Sequence, residues 1–247
     1  YRVQKRRSYA CEHCGHQIYP TAGTPFHRTR TSLRDWFYVM FLFCTTRNGV
    51  AAKEVERQIG VTYKTAWRMG DQIRKLMQQA DGFEMLQGHI ELDEAYVGGH
   101  RPGKRGRGAA GKTIVMGLKQ RDGRIRAEII GDIKSGILRD VVLRNVERGS
   151  VVSTDELMSY GLLEGDGFTH GKVKHGATQY AYHDEDSGIT HHVNNVESFW
   201  RLFKKSIAST HIHVSQKHMG KYLSEFSFRS NHRAKENAMF DLLIGAL

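Results

Sequence analysis

The sequence predicts an α/β fold in which helices flank a mixed five-stranded sheet, and three observations predict it. Segments 89–97, 113–119 and 124–130 have the composition and patterning of strands. Apolar residues then recur at helical spacing over 135–147, which predicts an amphipathic helix. A short apolar strand at 151–154 follows, so a helix crosses over between two strands.

Residues 1–30 are predicted to form a partial zinc ribbon. They contain Cys11-Glu12-His13-Cys14-Gly15, in which two thiolates can hold one tetrahedral metal while glycine permits the tight turn. A structural zinc site needs four ligands, and the other two are not evident nearby, so the missing pair would lie upstream of Tyr1. We expect Cys11 and Cys14 to bind Zn²⁺, with a metal-free loop as the alternative. Cys44, in an apolar helix, is expected to be a buried structural thiol.

Residues 31–82 are predicted to form a helix-turn-helix DNA-binding domain. A helix begins near Leu33, a second covers 51–59 and ends at Gly60, and Thr62 caps a third that runs to about Gln79. A short helix, a glycine turn and a helix with polar first turns suit docking in the major groove. The side chains expected to contact DNA are Thr62, Lys64, Thr65 and Arg68. An ordinary helical hairpin is the alternative.

A glycine-rich basic segment follows the first predicted strand. It extends over 98–112 and carries the cations Arg101, Lys104, Arg105 and Arg107. Such a segment is expected to bind a phosphate backbone, with a solvated charged loop as the alternative. The next two strands are joined through Asp122-Gly123, a hairpin signal.

The second half of the chain completes the predicted fold. Residues 156–190 are polar and histidine-rich, and are expected to be loop with a short strand near 179–182. A helix is predicted over 194–209. The order of these elements matches a ribonuclease H-like catalytic domain over 83–214, followed by a helical extension at 215–247.

Three acidic residues in this order of elements predict catalytic chemistry. Asp93 lies on the first strand, Asp155 follows the fourth, and Glu197 is on the first turns of the later helix. Carboxylates suit hard cations, so the three are expected to bind two Mg²⁺ or Mn²⁺ ions that promote phosphodiester chemistry. Lys204 lies two helical turns after Glu197 and is expected to bind the phosphate near the scissile bond.

Neighbouring residues leave alternatives open. Glu91 and Glu94 are alternatives to Asp93 as the metal ligand. Because side chains alternate along a strand, Asp93 and its immediate neighbours cannot project from the same side. Glu156 is similarly adjacent to Asp155. Trp200, on the same helix as Glu197, would either stack on a base or belong to the core.

The composition of the chain indicates what kind of partner the protein binds and in which cellular compartment it is found. The 247 residues carry a formal net charge of +11 and a pI of about 9.6, which indicates a polyanionic partner, most often nucleic acid. The three cysteines do not form a disulfide framework, no signal peptide is visible, and no apolar run approaches a membrane span. We expect a cytoplasmic protein without membrane contact.

Three blocks of the sequence resemble the catalytic blocks of DDE insertion-sequence transposases. They are Leu92-Asp93-Glu94-Ala95-Tyr96-Val97-Gly98-Gly99, Ser153-Thr154-Asp155, and the run from His192 to Lys204. The cysteine segment, the helix-turn-helix and Tyr222-Leu223-Ser224-Glu225-Phe226 resemble the group with an N-terminal zinc ribbon, related to the Merlin elements.

The resemblance implies a homodimer or larger assembly on double-stranded DNA, and a bacterial, nucleoid-associated protein. Its partners would be the terminal inverted repeats and target DNA, with Mg²⁺-dependent cleavage and strand transfer. It makes Asp93, Asp155 and Glu197 the acidic triad and Lys204 the trailing lysine, with Asn194 as a lesser candidate for the third role. The alternatives are a ribonuclease H-like nuclease without strand transfer, or a DNA-binding regulator with an inactive catalytic domain.

Overall fold

The computed structural model describes residues 1–4, 8–98, 111–174, 180–234 and 238–247. Within these ranges the strands are β1 Tyr9–Ala10, β2 Gln17–Ile18, β3 His89–Val97, β4 Thr113–Gln120, β5 Ile125–Ile130, β6 Val151–Thr154, β7 Thr169–Lys172, β8 Tyr182–Asp184 and β9 Ile189–His191. The α-helices of the same ranges are α1 Leu33–Thr45, α2 Ala52–Ile59, α3 Tyr63–Asp81, α4 Ser135–Asn145, α5 Asn194–Ser206, α6 Gln216–His232 and α7 Ala238–Gly245.

The predicted mixed five-stranded sheet is confirmed. Its strands lie in the order β5-β4-β3-β6-β7. β3 with β4 and β4 with β5 pair antiparallel, whereas β3 with β6 and β6 with β7 pair parallel. Helix α4 makes the crossover between β5 and β6, as expected for a parallel connection.

The fifth strand of this sheet was wrongly predicted. It is β7, at Thr169–Lys172, in a segment predicted to be loop. Of the predicted strand at 179–182, residue 179 lies outside the described residues, and residues 180–182 do not belong to this sheet. β8 begins at Tyr182 and pairs with β9 in a separate two-stranded sheet. A four-residue polar edge strand has too little apolar alternation to be read from the sequence, because its backbone pairing rather than a buried face holds it in place.

Helices cover both faces of the central sheet. On one face the helix α5 packs through Val196, Phe199 and Phe203 against Ala95 and neighbouring residues. On the other face α4 packs against a second cluster that contains Ile90, Leu92 and Met116. Because β3 contributes alternate residues to the two clusters, His89, Glu91, Asp93 and Ala95 share the α5 side.

The helices α1, α2 and α3 share a third hydrophobic cluster with the C-terminal helices. Trp36, Phe43 and Met69 are fully or almost fully buried there together with Phe228 of α6 and Leu243 of α7. The predicted turn between α2 and α3 is present: Gly60 has a positive φ of 67°, and the Thr62 hydroxyl accepts the Thr65 backbone N–H. The domain boundaries near residues 30, 82 and 214 stay predictions.

None of the helices in the described ranges is long and apolar enough to cross a bilayer.

Candidate active site

The register of the central sheet brings two predicted acids to neighbouring positions. β3 and β6 pair in parallel with Glu91 opposite Ser153. Asp93 lies two residues after Glu91, and Asp155 lies two residues after Ser153, directly beyond the end of β6. Equal steps along parallel strands keep side chains on the same face, so both aspartates project toward α5. The Asp155 carboxylate also accepts the Leu157 backbone N–H at 3.0 Å.

The electrostatics of Asp93 link all four residues predicted for catalysis. Burial, followed by the charges of Asp155 and Glu197, raises the pKa of Asp93 to about 7, whereas Lys204 acts to lower it. Coulombic effects of this kind require the charges to be near one another in a medium of low effective permittivity. The strands and α5 therefore bring Asp155, Glu197 and Lys204 around the half-buried Asp93.

Helix α5 carries its polar and apolar residues on different sides. Glu197 and Lys204 are seven residues apart and both are exposed, as expected for two turns along one side of a helix. Trp200 is 3% exposed and packs with Phe199 and Phe203. Trp200 is therefore a core residue of α5, and the base-stacking alternative for it is wrong.

A glycine permits the close approach of α5 to the sheet. Gly117 on β4 is paired with Asp93 in the register. A Cβ atom at Gly117 would lie 2.6 Å from Trp200 Cζ2 and 2.9 Å from Val196 Cγ2. These distances are shorter than carbon atoms tolerate, so the distance between α5 and the strand that carries Asp93 depends on the absence of a side chain at residue 117.

Replacing Gly117 with alanine is expected to destabilise the protein by about 1–3 kcal/mol, because an added methyl group in a packed core forces neighbouring side chains to move. Urea unfolding of the two proteins measures the difference. Gly131→Ala is the matched control, since a Cβ there meets no atom within 4 Å; it should change stability by less than about 0.5 kcal/mol. Equal stabilities for Gly117→Ala and Gly131→Ala would contradict the close-packing argument.

The three carboxylates of Asp93, Asp155 and Glu197 have the chemistry that suits a divalent cation. Within the described ranges, no three His, Cys, Asp or Glu side chains converge into a ready metal cluster. The three carboxylates are nevertheless oxygen donors of the kind that Mg²⁺ and Mn²⁺ prefer. Burial and then the repulsion from Asp155 and Glu197 raise the pKa of Asp93, and a bound cation would relieve this repulsion.

The two cysteines predicted to bind zinc lie in the turn between β1 and β2. Cys11 is half-buried and Cys14 is exposed. Hydrogen bonds from the backbone of Cys14 and then of His13 lower the pKa of Cys11, which favours the thiolate that metals bind. The described residues supply these two donors and no assembled metal cluster, so a four-ligand zinc site is not complete in them.

The residues predicted to contact DNA are divided between described and undescribed segments. Thr62, Lys64 and Arg68 are exposed at the start of α3. Thr65 is half-buried, and its hydroxyl lies 3.0 Å from that of Thr62. The cations of the glycine-rich segment, Arg101, Lys104, Arg105 and Arg107, lie outside the described residues.

The acids left open as alternative ligands have other contacts. Glu94 lies on the α4 side of β3, where the Tyr160 hydroxyl donates to it. Glu91 shares the Asp93 side but is fully buried and accepts hydrogen bonds from Arg121 and Asn195. Its partners come from distant parts of the chain, so sequence reasoning had no signal for them beyond an acid two residues before Asp93.

Comparison with known proteins finds a matching family and a relative. A family profile described as the ISXO2-like transposase domain matches residues 85–231, more than half of the chain and a span that includes all three acids. An uncharacterized transposase-like protein of Haemophilus influenzae is 24% identical over 104 residues, which are 42% of this chain and 78% of that protein.

Proposed function

Since the chain belongs to the ISXO2-like transposase family of insertion sequences, we propose that it binds transposon-end inverted repeats and catalyses metal-dependent DNA cleavage and strand transfer. The observation that carries this proposal is the position of Asp93 on β3 and of Asp155 directly after the parallel neighbour β6, on the side of the sheet that α5 covers. The raised pKa of Asp93, caused by burial and then by the nearby charges of Asp155 and Glu197, supports it. Acids that repel one another in a partly buried site are costly to fold, and such sites are commonly functional.

Asp93, Asp155 and Glu197 are the residues that would hold the metal ions. Two bound Mg²⁺ or Mn²⁺ ions would supply activation of the attacking oxygen and stabilisation of the leaving oxygen. Asp93 lies on β3 and Asp155 directly follows β6, and the parallel pairing of these strands up to Glu91 and Ser153 holds the two segments side by side. Glu197 comes from α5, whose apolar side is packed on the sheet. The three acids thus rest on rigid elements, which preserves the geometry that catalysis needs.

Lys204 is proposed to bind the phosphate beside the scissile bond. It is exposed on the same side of α5 as Glu197, and its charge acts on Asp93. An ammonium group in this place attracts the DNA backbone to the acids and offsets part of their negative charge.

The N-terminal part of the chain is proposed to recognise DNA. α2 and α3 would act as a helix-turn-helix, in which Thr62, Lys64, Thr65 and Arg68 face the major groove. The exposure of Thr62, Lys64 and Arg68 supports this role, as does the net charge of +11. The cysteine turn would be half of a zinc ribbon of the Merlin-related group.

The assembly and the regions of the chain are also proposed. Two or more copies would act together on the inverted repeats and target DNA in the bacterial cytoplasm. The functional regions would be the ribbon at 1–30, the helix-turn-helix at 31–82, the catalytic domain at 83–214 and the helical extension at 215–247.

The decisive experiment is cleavage and joining of the element's own terminal DNA, comparing the wild type with Glu197→Gln. We expect joined product with Mg²⁺ from the wild type, and a loss of roughly a hundredfold or more in the variant, because the third carboxylate is replaced by a neutral amide with a single oxygen. Glu185→Gln, at an exposed position of the β8–β9 turn, is the matched control and should join DNA at the wild-type rate.

The other outcomes identify the other functions. Nicking without joining would replace strand transfer by a nuclease activity. Tight DNA binding by the wild type without either reaction would make the protein a regulator and would refute the catalytic proposal.

A further inference from the structure

Glu91 is a buried charge with no part in the proposed chemistry. It is fully buried on β3, two residues before Asp93 and on the same side of the strand. A carboxylate in the protein interior is costly unless hydrogen bonds and opposite charges compensate it. Its partners therefore indicate what its presence accomplishes.

One set of partners is the beginning of α5. Glu91 Oε2 accepts the backbone N–H groups of Asn195 at 2.9 Å and Val196 at 3.2 Å, and Oε1 accepts the Asn195 side-chain amide at 2.8 Å. The first N–H groups of a helix lack partners within the helix, and a negative charge is favourable there. Among the described residues, Val193 at the N-cap position makes no side-chain cap bond, so the cap of α5 comes from β3.

The second set of partners is Arg121, which follows β4, and His192, which lies just before α5. Arg121 Nε donates to Glu91 Oε1 at 3.2 Å, and the same guanidinium donates to the carbonyl oxygens of Thr190 at 2.6 Å and His192 at 3.3 Å. Arg121 therefore neutralises Glu91 and also holds the segment that leads into α5. His192 Nδ1 lies 3.1 Å from Glu91 Oε1.

We infer that Glu91 is a positioning residue, which attaches the start of α5 to β3 and thereby sets Glu197 against Asp93. Glu197 lies two residues after Asn195, and Asp93 lies two residues after Glu91. Both connections are short and lie within regular structure. The contacts of Glu91 with the start of α5 therefore restrict the distance between Glu197 and Asp93. A serine or aspartate at residue 193 would cap α5 equally well, but it would not tie the helix to the strand.

The contacts also argue against Glu91 as a metal ligand itself. Both carboxylate oxygens already accept hydrogen bonds, from two backbone amides, one side-chain amide and one guanidinium. A carboxylate with these partners orients the site without entering it, as the residues behind metal ligands commonly do.

The test is Glu91→Gln in the full chain, because glutamine keeps the size of the side chain but presents an amide NH₂ where an acceptor is needed. This inference rests on the proposed function, so two readouts are taken. Hydrogen exchange of the Asn195 and Val196 amides should become faster. The joining rate should fall about 10–100-fold, and the Mg²⁺ concentration for half-maximal rate should rise by a similar factor. DNA binding should not change.

Asp166→Asn is the matched control. Asp166 is also a buried carboxylate paired with an arginine, since Arg139 donates to it at 2.6 and 2.5 Å, but this pair lies on the α4 side of the sheet. The control should lose stability while exchange at α5 and the Mg²⁺ dependence of joining stay as in the wild type.

Two results would overturn the inference: unchanged exchange at α5 in Glu91→Gln, or a joining rate and Mg²⁺ dependence like those of Asp166→Asn. If Glu91→Gln does not fold, Glu91→Asp replaces it with the same expectations, because its shorter arm keeps the charge but cannot reach both amides. If the wild type neither cleaves nor joins DNA, the proposed function fails. Hydrogen exchange of the Asn195 and Val196 amides then still decides whether Glu91 holds the start of α5 against β3.

Discussion

Asp93→Asn is expected to reduce DNA joining by roughly a thousandfold or more, and at the same time to stabilise the metal-free protein at pH 8. The loss of activity follows from removing a charged oxygen donor from the proposed metal site; single changes in residues that act as a unit have effects of this size. The gain in stability follows from removing a charge that burial, Asp155 and Glu197 disfavour.

The sign of the stability effect can be derived from the pKa of Asp93. The pKa is about 7 in the folded protein and about 3.9 in an unfolded chain. Between these values the folded state binds the proton more often, so the contribution of Asp93 to stability decreases as pH rises. Above pH 7 the full cost is present, a few kcal/mol at most in order of magnitude. Asparagine carries no charge at any of these pH values.

Urea unfolding of both proteins with EDTA at pH 4, 6 and 8 measures this effect. The two proteins should be closest in stability at pH 4, and the advantage of Asp93→Asn should grow to a plateau above pH 7. Asp186→Asn, at an exposed position, is the control and should behave as the wild type in unfolding and joining. A variant that joins DNA normally, or that is less stable than the wild type at pH 8, would contradict the placement of Asp93 among the acids.

Glu225→Ala is expected to destabilise the protein by about 3–5 kcal/mol, because it leaves buried arginine charge without its partner. Glu225 of α6 is fully buried and accepts from Arg74 of α3 at 2.7 Å and from Arg229 at 3.1 Å. Burial acts to raise the pKa of Glu225, but Arg74 and then Arg229 outweigh it, so the pKa lies below its usual range. Arg229 also donates to the Thr46 carbonyl oxygen beyond α1.

Thermal unfolding measures this loss as a decrease in Tm of roughly 10 °C for a chain of this size. Glu54→Ala is the control, since Glu54 and Arg57 form an exposed pair at 3.6 Å that contributes about 0–1 kcal/mol. Replacing Arg74 and Glu225 together with apolar residues should recover part of the loss, because Arg74 no longer lacks a partner, whereas Arg229 loses its carboxylate and keeps the Thr46 carbonyl oxygen. A Tm for Glu225→Ala within about 2 °C of the wild type would show that the buried pair does not hold α3 to α6.

The sequence by itself determined the features that depend on local periodicity. The alternation along 89–97 predicted β3 with its observed bounds, and the helical spacing after Thr62 predicted α3. The same patterns placed Asp93 on a central strand, Asp155 at the end of its parallel neighbour and Glu197 on a helix. These features are readable because the side-chain direction of a strand or helix repeats within a few residues.

Tertiary structure decided the features that depend on contacts between distant segments. The polar strand β7 exists through its pairing with β6, and Gly117 matters because Trp200 packs over it. Glu91 meets Asn195, 104 residues away along the chain. Arg121, in the turn between β4 and β5, is its counter-charge. A buried charge takes its role from the groups that surround it, and only the packed chain brings those groups together.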